Sequence, residues 1–152
     1  MTTVQSHRFP VSIGWEHGRL TLAQAPGKPD LEIATPPEFK DGISGVWTPE
    51  DLLVAATASC FTVTLIAVAE QKGLALHDLR VGGTGHLERR ADGRFGFTVI
   101  DLVATLTVDH AQRERAERVA RYAKGVCIVG GALDVPVHLE IHVVTQAEAK
   151  VA

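Results

Sequence analysis

Hydrophobic and polar positions change period several times along this chain, and each change marks an element. Near the N-terminus Phe9, Val11, Ile13 and Trp15 alternate with polar or small residues, the period of a half-buried strand. His17-Gly18 reads as a turn. Leu20 and Leu22, then Leu31 and Ile33, continue as strands on either side of the loop QAPGKPD, which its glycine and prolines mark as irregular. A second loop, TPPEFKDGISGVW, leads into an uncharged run of 18 residues from Leu52 to Ala69. Its start is marked by Thr48 as cap, Pro49 at the first helical position, and Glu50 and Asp51 at the positive end of the helix dipole. Gly73 marks its end. A helix apolar all round must be covered on every side, so a fully buried helix is expected, with self-association as one way to cover it.

Beyond that helix, Leu79 to Arg89 and Arg94 to Val108 read as two strands joined by RADG, whose Asp92-Gly93 is a hairpin signal. The second strand changes parity, from Phe95, Phe97 and Val99 to Ile100, Leu102, Leu106 and Val108, which predicts a bulge near Val99. A second helix is expected from a cap at Asp109 to about Lys124, with Ala116, Val119, Ala120 and Ala123 as its apolar stripe. Continued through Gly125, that stripe takes in Cys127. Val135, Val137, Leu139, Ile141 and Val143 close the chain as an alternating strand. Strands, helix, strands, helix, strand, with adjacent antiparallel pairs, indicate an α+β fold. At 152 residues the chain fits a single domain, 1–152.

Composition narrows the class. With 45% hydrophobic and 22% charged residues and a net charge of −3, the chain has the profile of a soluble globular protein. Nucleic acid is not expected as a partner, because Glu114 and Glu117 interleave with Arg113, Arg115, Arg118, Arg121 and Lys124, the pattern of a solvated helix face. The uncharged run sits at the lower edge of bilayer-spanning length. Its Thr57, Ser59, Thr62 and Thr64, and the lack of a flanking basic cluster, favour a protein core over a membrane. The first residues, MTTVQSHRFPVSIGW, do not read as a secretory signal, so a cytoplasmic location is expected.

Two cysteines are present. Cys60 lies in the middle of the apolar helix and Cys127 after the charged one. Free cysteine behaves as a small hydrophobe, so two unrelated buried thiols are one reading. In a reducing compartment a pair that does close is more often catalytic or redox-sensing, which is the other. Glu50 is the nearest candidate to tune Cys60, but ten residues of helix separate the two by about 15 Å. If the helix is straight they cannot touch within one subunit, and a second copy crossing antiparallel in a two-fold dimer could bring them together. His138, Glu140 and His142 share one face of the last strand, yet neighbours at about 6.6 Å are too widely spaced to chelate one ion unaided. No metal site is assigned, and VGGTGHLE reads as strand rather than a phosphate loop because no helix follows it.

TPEDLLVAATASCF, with Pro-Glu at the helix start and Cys-Phe ten residues after that Glu, resembles the corresponding segment of the OsmC/Ohr proteins. The second cysteine in AKGVCIV and the order of elements resemble them too, over about Trp15 to Val144. The resemblance implies an intertwined homodimer, with antiparallel sheets around a long buried helix that carries the first cysteine and with sites at the interface. It implies a peroxidase of organic hydroperoxides that needs no metal or flavin. Cys60 would be the peroxidatic thiol, Cys127 the resolving thiol, Glu50 the active-site carboxylate, and a dithiol such as a lipoylated protein the reductant. TPE in place of an Asn before that Pro, and CIV after the second cysteine, mark a divergent member, and one further departure matters. Where peroxide-reducing relatives carry an arginine in the first hairpin, GWEHGRLTL places Glu16, and Arg19 is the candidate replacement. A glutamate beside Cys60 without a cation would raise the thiol pKa. The displaced arginine gives weight to a non-enzymatic alternative on the same scaffold, one that binds a small apolar ligand or senses oxidation.

Overall fold

The computed structural model describes residues 6–149 and divides into two compact units that meet in sequence at Leu52 and Leu53. In the first, β1 (Ser12–His17), β2 (Leu20–Gln24) and β3 (Leu31–Ala34) form an antiparallel sheet in that order. Phe9 and Val11 precede β1 rather than belonging to it. The strand is exposed along its whole length, with Trp15 at 76%. Its alternation therefore marks an apolar face that the described residues of its own unit leave uncovered. Ile33 and Ala34 of β3 are buried, and the Ala34 N–H donates to the Trp47 carbonyl at 2.8 Å.

Helix α1 (Pro49–Gln71) starts and stops where its sequence signals stand. The Asp51 N–H donates to Thr48 Oγ1 at 3.0 Å and the Thr48 N–H returns a bond to Asp51 Oδ2 at 3.1 Å, a reciprocal cap that satisfies two donors. At the other end Gly73 takes φ +61°. Its N–H reaches the Glu70 carbonyl, and the Leu74 N–H reaches that of Ala69, a Schellman closure. By length and composition α1 could cross a bilayer. Its Thr57, Phe61, Leu65, Val68 and Ala69 are buried, but Ser59, Val63 and Ile66 are exposed. The helix is thus buried along one side rather than all round.

The second unit holds β4 (Asp78–Arg89), β5 (Phe95–Val108) and β6 (Val137–Thr145) in that order. β4 and β5 form the expected hairpin, with Gly93 at φ +82°. The register shifts as His86 pairs with Val99 and Leu87 with Phe97. Thr98 is the extra residue, so the bulge sits beside Val99 as the parity change requires. α1 lies close on this sheet: a Cβ at Gly83 would stand 2.9 Å from Val54 Cγ1, and one at Gly85 2.7 Å from Val54 Cγ2. Gly83 and Gly85 of VGGTGHLE thus make room for a helix. β6 pairs with β5 in parallel, not in the antiparallel manner expected of the sheets. Such a connection needs a crossover, and helix α2 (Arg113–Gly125) lies within it.

α2 begins later than expected. Asp109 makes no side-chain cap bond and instead pairs with His77 Nε2 at 2.9 Å, and a 3-10 turn over His110–Gln112 precedes the helix. The predicted stripe of Ala116, Val119, Ala120 and Ala123 is the buried one. Arg118 pairs with Glu114 and Arg121 with Glu117 one turn away on the outer face. α2 ends at Gly125, and α3 (Ile128–Ala132) and α4 (Gln146–Ala149) are short. Phe61 and Leu65 of α1, Ile100, Leu102, Leu106 and Val108 of β5, and the small face of α2 form one core with Cys127. Each large side chain so buried is worth about 1.5–3 kcal/mol.

Candidate functional site

Cys60 stands on α1 between buried Phe61 and exposed Ser59, and is itself half-buried. Cys127 is buried, but α2 does not extend to it. It lies in the break before α3 with φ −67° and ψ 119°, an extended conformation. The break matters because the first N–H groups of any helix have no acceptor within it. Here one finds a sulfur: the Val129 N–H donates to Cys60 Sγ at 3.4 Å.

The two thiols face each other and are unequal. Burial pushes the Cys60 thiol up, but the Val129 N–H, the Cys127 thiol, the Ile128 N–H and the Thr64 hydroxyl all favour the thiolate, and together they hold it below the ordinary thiol value. Burial raises the Cys127 thiol, and Cys60 opposite raises it further. Cys60 therefore ionises first, and an anionic sulfur is the nucleophilic form. Cys127 stands beside it as a protonated donor.

The other candidates are placed differently. Glu50 is in the first turn of α1, partly buried, and its Oε2 is a buried oxygen with no hydrogen-bond partner among the described residues. Arg19 occupies the turn between β1 and β2 and is exposed, while its carbonyl accepts the Thr35 N–H at 3.4 Å. Glu16 is exposed on β1. The carboxylate and the arginine belong to the first unit and both thiols to the second.

A family model described as OsmC-like protein matches residues 42–142. The chain belongs to the OsmC-like family. Its fold is that of an OsmC-like protein of unknown function from Vibrio cholerae, with TM-score 0.80 and 15% identity, covering 90% of this chain and 99% of that one. An organic hydroperoxide resistance protein OsmC from Legionella pneumophila matches with TM-score 0.74 and 24% identity, over 90% and 96%. Among curated proteins, the uncharacterized protein YmaD of Bacillus subtilis is 22% identical, over 89% of this chain and 92% of its own. The OsmC-like family thus includes proteins named for organic hydroperoxide resistance, and this chain is a divergent member.

In this OsmC-like chain the amides of Ile128 and Val129 and the hydroxyl of Thr64 are site groups that residue type alone did not reveal. Thr64 follows Cys60 by four residues, the spacing that puts two side chains on one helix face. The amides had no comparable signal, because every non-proline residue carries one. On β6, His138 Nδ1 meets Asp101 Oδ1 at 3.2 Å and His142 Nε2 meets Glu140 Oε1 at 2.9 Å. These histidines are partnered by carboxylates. Among the described residues no group of three or more His, Cys, Asp or Glu is arranged to hold a metal ion.

Proposed function

We propose that this chain is a homodimeric thiol peroxidase that reduces organic hydroperoxides. The observation that carries the reading is the Val129 amide on Cys60 Sγ with the Cys127 thiol beside it. Cys60 thiolate attacks the peroxide O–O bond. The bond breaks, the alkoxide leaves as the alcohol after taking a proton, and Cys60 becomes a sulfenic acid. Cys127 then attacks that sulfur, an S–S bond forms and water leaves. A dithiol reductant, such as a lipoylated protein, reopens the disulfide and is itself oxidised.

A second copy of α1 crossing antiparallel would bring its glutamate to Cys60, and the exposed Val63 and Ile66 offer the apolar face such a crossing needs. Arg19 is the cation proposed to balance Glu50, whose buried Oε2 lacks a partner among the described residues. Turnover of cumene hydroperoxide with a lipoyl dithiol should fall to background in Cys60→Ser, and unchanged turnover refutes the assignment. One equivalent of peroxide should consume two thiols per subunit rapidly. Slow loss, or loss of one thiol, favours the alternative, a small-ligand binder or redox sensor on this scaffold.

A further inference from the structure

A cavity of about 210 Å³ opens beside the thiol pair, and its lining includes Cys127 but not Cys60. Buried Phe61, Leu102 and Thr57 form its inner wall, and its outer residues are Lys124, Gly125 and Gly131, all exposed. A Cβ at Gly125 or Gly131 would meet nothing within 4 Å, whereas one at Gly130 would stand 3.5 Å from Cys127 Sγ. The missing side chains leave an open way to that sulfur.

We infer that the dithiol of the proposed reaction enters by this cavity and attacks the Cys127 sulfur, not the Cys60 sulfur, of the Cys60–Cys127 disulfide. The inference rests on the peroxidase reading, which supplies the disulfide. The incoming thiolate forms a bond to Cys127 Sγ, the S–S bond breaks, and its electron pair leaves on Cys60 Sγ. The second thiol of the reductant, after losing its proton, attacks the first sulfur of the same molecule. That step closes the reductant's own disulfide and releases Cys127, which takes up a proton. Two electrons pass from the dithiol to the protein. Phe61 and Leu102 suit a methylene chain, and the Lys124 ammonium favours an arriving anion. Exchange is faster when the departing thiol is the more acidic one. Cys60 is that thiol, because the Val129 and Ile128 amides already support its anion while Cys127 is held up by burial.

The test uses the wild-type protein oxidised with one equivalent of peroxide, its disulfide first verified by intact mass. Brief exposure to mercaptoethanol, acid quench, alkylation of free thiols and peptide mass mapping then locate the adduct. The adduct is expected on Cys127, with Cys60 alkylated, by at least about tenfold over the reverse. An adduct on Cys60, or an even division, overturns the inference while leaving the peroxidase reading intact. Failure to form any disulfide overturns that reading and the inference with it. Gly131→Leu, which fills the cavity without a strained backbone, should slow disulfide opening by propanedithiol about tenfold, and an undiminished rate argues against the route.

Discussion

The two sheets carry the same alternation and meet opposite fates. In β5 the parity of Ile100, Leu102, Ala104, Leu106 and Val108 is wholly buried, whereas in β1 Ile13 is 58% exposed and Trp15 more so. Period-two alternation reports that a strand has an apolar face, not what lies on it. For β5 the cover comes from α1 and α2 of the same unit. For β1 the described residues of its own unit supply none. The chemistry divides along the same line, since both thiols and every group that lowers the Cys60 pKa belong to the second unit.

Substitution at the two faces is the strongest way to break this contrast. Leu106→Ala should cost about 2–5 kcal/mol in chemical denaturation at every protein concentration, because it leaves a cavity in a packed core. Trp15→Ala should stay within about 0.5 kcal/mol for the dissociated chain and act instead on dissociation of the proposed dimer, read by sedimentation. Equal losses at high dilution would erase the distinction. Next comes the division of chemistry. Arg19→Gln should lower the single-turnover rate of peroxide reduction about tenfold, or roughly 1.4 kcal/mol, and an unchanged rate would place the reaction wholly in the second unit. Thr48→Ala, which removes the cap at the start of α1, should cost about 1 kcal/mol in thermal unfolding. The smallest effect tests the second unit alone. Alkylation of Cys60 should reach half its maximal rate below the pH of an ordinary thiol, and Cys127→Ala, by removing one donor, should move that midpoint upward.

Local features are the ones legible in the sequence. Thr48 and Asp51 cap each other three residues apart, Gly73 closes the helix within its last turn, and Asp92-Gly93 turns a hairpin, so short stretches of chain specify each feature. The bulge is legible because a strand that keeps one face buried through a change of parity needs one extra residue. Asp109 departs from its expected capping role because its partner, His77, is distant in sequence and competes for the carboxylate. The parallel β5–β6 pairing escapes prediction for a related reason, since alternation carries no direction. Cys127 is in the core, as its place on the stripe suggests. It arrives by a break rather than by helical continuation, and the break frees the amides that side-chain chemistry could not announce.

In the proposed reaction that break ties the backbone to the oxidation state of the thiol pair. While Cys60 is a thiolate, the Val129 amide proton has an anion to hold it. Once the sulfur is spent in a neutral disulfide it becomes a weak acceptor, and the first turn of α3 loses one of its anchors. Hydrogen exchange at Val129 should therefore quicken on oxidation and slow again on reduction, a local clock on the proposed catalytic cycle that reports from the main chain.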